Sequence, residues 1–500
     1  MQELYEELKR RMGEIIDMAS AGAVLGWDQQ TYMPPGGAEA RGRQMATLSK
    51  FMHDMQTDPK NGELLEKLRP FEEKAGYDSD EAALIRLSRR LYEKAVKVPS
   101  EFAARFSKAE SECFDVWVKA RPANDYAMVR PSLDNIFGLC REYADFFPGY
   151  GHPLDPLMDN HDHGMKVSDV RPVFAELRKE LVPIVNAITS QEPADNSFLT
   201  AAFEPKKQLE FGESIIRAYG YDFDRGRQDM APHPFTTSFA LGDVRITTRV
   251  QETFLGTALF GTLHEAGHAM YEQGSAPSLD GTFLRGGTTI GVHESQSRLW
   301  ENIVGRSRGF WSHNYPALQK LFPEQLGQVS LDKFYRGINK VQKSLIRVEA
   351  DEVSYNLHVM MRFDFECEIL EGKLNIAELP NAWNDRMESD IGIRPPNDAN
   401  GVMQDIHWYN GIVGYFQGYA LGNIMSAQFY DAAVKAHPEI PGDIANGKYD
   451  KLHSWLKENI YRHGAKFTAS EILERATGSG LDIGPYMNYL KTKYGELYDL

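Results

Sequence analysis

Residues Thr253 to Gly274 read TFLGTALFGTLHEAGHAMYEQG, a run whose apolar residues recur at helical spacing. Phe260, Leu263 and Met270 suit a buried helix, and Gly274 stands where a C′ residue would stop it. His264 and His268 are four apart, so a helix puts both imidazoles on one face, one turn from each other. They can point at a single metal ion, while Glu265 projects beside it, placed to take a proton from an activated water. Ionisable side chains inside so apolar a helix are costly without a partner, and a metal ion is one. Gly267, in mid-helix, costs about 1 kcal/mol relative to alanine. A close backbone approach beneath the site explains it, and so does plain tight packing.

This is the H-E-x-x-H pattern of zinc peptidases, and a catalytic zinc wants a third protein ligand with one open position. Downstream lies Gly291-Val292-His293-Glu294-Ser295-Gln296-Ser297-Arg298-Leu299-Trp300, continuing as Glu301-Asn302-Ile303-Val304. Leu299, Trp300, Ile303 and Val304 recur at helical spacing, which puts Glu294 near the start of a second helix. A glycine-rich turn (Gly281, Gly286, Gly287) lets the chain return that helix to the first. Glu294 is therefore the candidate third ligand. The alternative is an exposed pair with Arg298 at i, i+4. His293 is a rival ligand, but only one of two adjacent helical residues can face the ion.

The rest of the composition narrows the setting. A 500-residue chain with 42% hydrophobic and 25% charged residues is long and apolar enough for a large core. No window reads as a membrane span, and Met1 to Arg10 is a charged amphipathic helix with no apolar signal core. Cys113, Cys140 and Cys367 fit neither a disulfide framework nor a zinc knuckle, so a reducing cytoplasm is expected. The net charge of −16 argues against nucleic acid as a partner, since no basic stripe offsets it.

Periodicity predicts helices over 4–25, 41–55, 81–96, 101–120, 131–146, 170–187, 206–218, 331–367, 411–436 and 448–461. A β-hairpin is expected over 235–240 and 244–250, around Leu241-Gly242-Asp243. It lies just before the metal helix, where an exposed edge could pair with an extended peptide; a strand covered by neighbouring helices is the alternative. His161-Asp162-His163 looks metal-like but falls in a Gly/Pro/Asp-rich stretch, and is read as a solvated loop.

HEAGH followed by HESQ is similar to the M32 metallocarboxypeptidases, the carboxypeptidase Taq family. His233-Pro234-Phe235, Asp243-Val244-Arg245-Ile246-Thr247 and Ile346-Arg347-Val348-Glu349-Ala350-Asp351 match further motifs of that family in order. So do Gly401-Val402-Met403-Gln404-Asp405-Ile406-His407-Trp408 and the N-terminal Leu25-Gly26-Trp27-Asp28-Gln29 with Met33-Pro34. The resemblance covers nearly the whole chain. It implies a mainly α fold like that of neurolysin and angiotensin-converting enzyme. The expected architecture is one catalytic unit over residues 1–500, with two lobes around a deep channel and a small β-hairpin near the metal helix, usually as a homodimer. It also implies a His264–His268–Glu294 site for Zn²⁺, which Co²⁺ can replace.

Hydrolysis of a peptide at such a site needs a general base, for which Glu265 is the natural choice. It also needs neutral donors for the oxyanion, and the resemblance implies His407 with Tyr415 or Tyr419. Tyr415 and Tyr419 would share a helix face. A carboxypeptidase must further hold a free C-terminal carboxylate, best done by the planar fork of arginine. Arg347 and Arg245 are the candidates, although Arg347 could pair with Asp351, and Arg245 with Asp243. Asp351 and Asp405 are candidates to orient the ligand imidazoles. The leading expectation is a broad-specificity zinc carboxypeptidase acting on peptides with a free C-terminus. An oligopeptidase cutting inside short peptides shares the fold. A non-catalytic peptide-binding scaffold is the third reading, against which Glu265 argues, because a structural metal site has no need of a base.

Overall fold

The computed structural model describes residues 1–500. Helices dominate, with one three-stranded sheet, as the periodicity leads one to expect. The chain forms two compact units, each assembled from separated stretches of sequence. The first comprises residues 1–96, 197–335 and 429–479, and the second residues 97–196, 336–428 and 480–500.

In the first unit the N-terminal helix Gln2–Thr31 buries Tyr5, Leu8, Met12 and Ile15, a three-four spacing that makes one apolar stripe. That stripe packs with Leu65, Leu68, Leu84 and Ile85 and with Leu279 and Leu284. The last two lie in the turn that joins the two helices of the expected metal site, so the core anchors that turn. The sheet has β1 (Gln228–Met230), β2 (Thr236–Ala240) and β3 (Asp243–Thr248) in the order β1-β3-β2. β2 and β3 form the expected antiparallel hairpin, with an irregularity between Ser238 and Ala240. β1, which the sequence reading lacks, pairs parallel to β3. At three residues it is too short to show an alternation. β2 is an edge strand, and the N-terminal helix packs against it.

The second unit holds the largest departure from periodicity. The helix expected over 331–367 is two helices, Leu331–Ile338 and Tyr355–Leu370, with only a short 3-10 turn at Arg347–Glu349 between them. Side chains take up the backbone N–H groups that a helix would have used. Asp351 accepts from the N–H groups of Gln342, Val353 and Ser354 at 3.2, 3.0 and 3.0 Å. Gln404 Oε1 accepts from Arg347 N at 2.9 Å, and Tyr498 Oη from Val341 N at 2.9 Å. These acceptors pair part of the backbone that a helix would have paired, which lowers the cost of leaving it. The helix expected over 411–436 starts at Phe416, because Gly411 and Gly414 have φ of 70° and 79° and cannot lie in a right-handed helix.

Candidate active site

The helix Leu255–Gln273 carries both histidines and is buried along most of its length. Its end uses glycine differently from the sequence expectation. Gly274 has an ordinary φ of −85°, and what it provides is space: a Cβ there would stand 2.6 Å from the Tyr461 ring and 2.9 Å from Met270 O. Gly267 is the close-approach case. A Cβ would meet Gln296 O and Ser297 Cα, each at 2.6 Å, on the neighbouring helix Ile290–Arg298. The two backbones can thus approach closely enough to bring Glu294 to the imidazoles. Thr289 opens this second helix by accepting from Val292 N at 3.2 Å. A π-helical turn over Leu299–Val304 continues it, a rare geometry that recurs at functional sites.

Glu294 Oε2 lies 3.8 Å from His264 Nε2 and 3.6 Å from His268 Nε2. One ligand atom from each of the three residues falls within 4.8 Å of the others. The pair with Arg298 also forms, with Nε donating to Glu294 Oε1 at 2.6 Å. It is not an exposed pair, since Glu294 is only 4% exposed. One carboxylate oxygen is therefore held by the guanidinium while the other faces the two rings.

The far ring nitrogens fix the tautomers. His264 Nδ1 lies 2.9 Å from Glu301 Oε2, to which it donates, leaving the Nε2 lone pair free. His293 Nε2 donates to Glu272 Oε1 at 2.7 Å. In the tautomer with its proton on Nε2, His293 accepts at Nδ1 from His268 Nδ1–H, 2.9 Å away. His268 Nε2 is left with its lone pair toward Glu294. The groups behind the candidate ligand rings are thus Glu301 and the His293–Glu272 pair, and not Asp351 or Asp405. Glu301 sits seven residues after Glu294, two helical turns on, which is the signal that could have marked it. His293, the rival candidate, instead contacts the candidate ligand His268.

Burial shapes the titration of the cluster. It pulls His268 well below the ordinary imidazole range, with positive neighbours adding to the effect, so the ring is neutral and able to ligate. Burial acts the same way on His264, but Glu294 and Glu301 outweigh it and raise that ring. Burial opposes ionisation of Glu301, yet Arg298, His264 and Arg306 overcome it and hold the carboxyl low. Glu265 is 6% exposed, and burial raises its carboxyl. Thr236 on β2 donates to Glu265 Oε2 at 2.7 Å, so the hairpin supports that carboxyl directly. Two imidazole nitrogens oriented from behind and one carboxylate oxygen fit a divalent ion of the zinc type.

Arg245, on β3, has its fork occupied by Asp243, with both contacts at 2.8 Å, and lies over the Trp27 ring at 4.4 Å. This is the Asp243 pairing that the sequence left open.

In the second unit, Asp405 is the hub. Arg347 donates to it through Nε at 2.5 Å and Nη2 at 3.0 Å, and the Arg362 Nε lies 3.0 Å away. His407 Nδ1 donates at 2.8 Å, and His407 Nε2 is 3.3 Å from Tyr419 Oη. Arg347 Nη1 also donates to Tyr355 Oη at 2.9 Å. Arg347 pairs with Asp405 and not with Asp351. Arg362, which the sequence reading did not single out, is fully buried beside the Trp383 ring at 4.6 Å. Burial lowers its guanidinium to about 10. Burial opposes ionisation of Asp405, and Arg362, His407 and Arg347 together hold it low. His407 is kept below its ordinary value by burial. Tyr419 lies in the helix Phe416–Ala436, whereas Tyr415 precedes it, so the two do not share a helical face. Their rings are nevertheless 5.4 Å apart.

The loop around His161 is partly solvated, with Asn160 and Gly164 exposed and His161 and His163 half-buried. Asp162 is buried and accepts from Gln417 Nε2 at 3.0 Å, and the His161 ring meets Tyr415 edge-on at 4.9 Å.

Comparison with known proteins agrees with these motifs. The family model described as carboxypeptidase Taq (M32) metallopeptidase matches residues 7–494. Thermostable carboxypeptidase 1 of Thermus thermophilus is 39% identical over 504 residues, covering 99% of each chain. Carboxypeptidase 1 of Bacillus subtilis is 36% identical over 502 residues, covering 99% of this chain and 98% of that one. Among solved structures, the M32 carboxypeptidase of Deinococcus radiodurans R1 superposes with a TM-score of 0.95 at 46% identity, over the full length of both chains.

Proposed function

The chain belongs to the carboxypeptidase Taq (M32) metallopeptidase family, and from that premise we propose that it removes C-terminal residues from peptides with a zinc ion held by His264, His268 and Glu294. The observation that carries the zinc reading is the paired fixing of both ligand rings, by Glu301 and by His293–Glu272. Co²⁺ suits the same donors. A divalent ion there supplies Lewis acidity, acidifying water and polarising a carbonyl.

Glu265 is the general base. Its buried carboxyl is raised above the ordinary carboxylate range and kept oriented by Thr236, which suits a group that takes a proton from water and returns it to the leaving amine. Tyr419 is the oxyanion donor. Asp405 orients the His407 ring through Nδ1, and the Tyr419 hydroxyl rests 3.3 Å from His407 Nε2; its single proton turns from that nitrogen to the oxyanion when substrate binds. Tyr415 is the second phenol of that cluster, steadied by His161.

Arg347 is the anchor for the substrate carboxylate. Three of its five N–H groups are used by Asp405 and Tyr355, which leaves donors for a ligand. Arg347 and Arg362 share one carboxylate, so the cluster keeps an excess positive charge, whereas Arg245 and Asp243 neutralise each other. Arg245 is accordingly the weaker candidate.

No helix is long and apolar enough to cross a membrane. The three free, buried cysteines support a cytoplasmic location. The family resemblance supports a homodimer.

An N-blocked dipeptide offered to metal-free protein, before and after Zn²⁺ or Co²⁺ is added, tests the proposal. Release of the C-terminal amino acid only after addition supports it. Release without metal, or none with metal bound, sinks it.

A further inference from the structure

The irregular segment between Ile338 and Tyr355 is a loop closed at its base, with Arg347 near its middle. Asp351 ties the two strands of the base together by accepting from Gln342 N at 3.2 Å. The C-terminal helix, Gly484–Tyr498, holds the base on both sides. On the entering side, Tyr498 Oη accepts from Val341 N at 2.9 Å. On the leaving side, the Glu352 carboxylate collects three donors from that same helix. These are Tyr489 Oη at 2.8 Å, Tyr494 Oη at 2.8 Å and Lys493 Nζ at 2.7 Å. The side chains of Glu352 and Lys493 are 5% and 6% exposed.

A buried ion pair of this kind adds little net stability over an apolar pair of the same shape, because both charges lose their hydration. What it supplies is a unique seat. The loop lacks a regular backbone ladder, so side-chain contacts at its base and at Gln404 carry much of what sets the position of Arg347. We infer that Glu352, Lys493, Tyr494 and Tyr498 form a clamp through which the C-terminal helix positions Arg347 for the substrate carboxylate. They act through Arg347 and do not touch the peptide. The inference rests on the assignment of Arg347 as the anchor. It makes recognition of the free C-terminus, and not the chemical step, sensitive to the last helix of the chain.

The test uses the full-length, metal-loaded protein and a matched pair of short peptides, one a free acid and one a C-terminal amide. Lys493→Met should raise KM for the free acid roughly tenfold, in line with misplacement of a positioning group, while kcat stays within about twofold of wild type. The preference for free acid over amide should fall in parallel. Tyr494→Phe, which removes one hydroxyl and no volume of consequence, should move the same ratio less, and Glu352→Gln should fall between them. If Lys493→Met does not fold, Tyr494→Phe decides. Lower thermal stability with an unchanged ratio overturns the clamp, as does a drop in kcat at constant KM. Arg347→Ala serves as the reference. If that variant also leaves the ratio at its wild-type value, the anchor assignment fails, whatever the clamp variants do.

Discussion

Replacing Gly267 by alanine should weaken metal binding although the residue is not a ligand. The added Cβ would stand 2.6 Å from Gln296 O, 2.6 Å from Ser297 Cα and 2.9 Å from Ser297 N. All three are backbone atoms of the helix that carries Glu294, so no change of rotamer relieves the overlap. Restoring ordinary contact at 3.4 Å requires the helices to part by about 0.8 Å. Metal–ligand distances tolerate about 0.2 Å, so Glu294 is pulled out of range of an ion held by the two histidines. Overpacking costs roughly 1–3 kcal/mol, and alanine returns about 1 kcal/mol of helix propensity. The loss of apo stability is therefore small, about 0–2 kcal/mol. The loss of zinc affinity should be about 10- to 100-fold, the range seen when ligand support is removed. Competition against a chromophoric chelator measures the affinity, and thermal unfolding of the apo protein measures the stability. Gly22 provides the control. It lies within the N-terminal helix with nothing inside 4 Å of a built Cβ, so Gly22→Ala should stabilise by roughly 0.5–1 kcal/mol. Zinc affinity in Gly267→Ala within twofold of wild type would refute the close-approach argument.

Three further outcomes follow from the same geometry. Glu265→Gln should lower kcat by about 10²–10⁴-fold while one zinc per chain is still bound, as read by metal analysis of the same sample. Glu301→Gln takes the charge from the partner of His264 Nδ1 and should weaken zinc binding about 10- to 100-fold, measured by chelator competition. Thr236→Val removes the hydroxyl that favours the ionised form of Glu265. Burial already raises that carboxyl, and losing the donor raises it further. The base then ionises only at higher pH, so the acid limb of the kcat/KM profile should move upward while the alkaline limb stays.

What the sequence discloses depends on how local the cause is. Helical spacing alone places His264 and His268 on one face, and Tyr5, Leu8, Met12 and Ile15 on one stripe. The β2–β3 hairpin follows from a Gly-Asp turn between two β-rich runs. Glu294 is legible because the second helix announces itself in Leu299, Trp300, Ile303 and Val304. The break at residues 339–354 is not legible, because its causes are distant. Periodicity there is helical, and the groups that capture the backbone, Gln404 and Tyr498, come from other parts of the chain. The same holds for the supports of the site. Asp351 and Asp405 are reasonable second carboxylates by sequence, but they serve the Arg347 loop and the Arg347–His407 hub. Glu301 and Glu272 do the work behind the histidines. Which carboxylate stands behind which imidazole is a matter of tertiary packing, and no local pattern encodes it.

Time-resolved mass spectrometry of one short peptide, supplied as free acid and as C-terminal amide to the zinc-loaded protein, decides whether a site built on His264, His268 and Glu294 serves to remove residues from a free C-terminus. The free acid should give a ladder of products shortened one residue at a time from its C-terminus. The amide should be cut far more slowly, and neither reaction should proceed once the metal is stripped. Internal fragments as first products, or equal cleavage of acid and amide, would contradict that role.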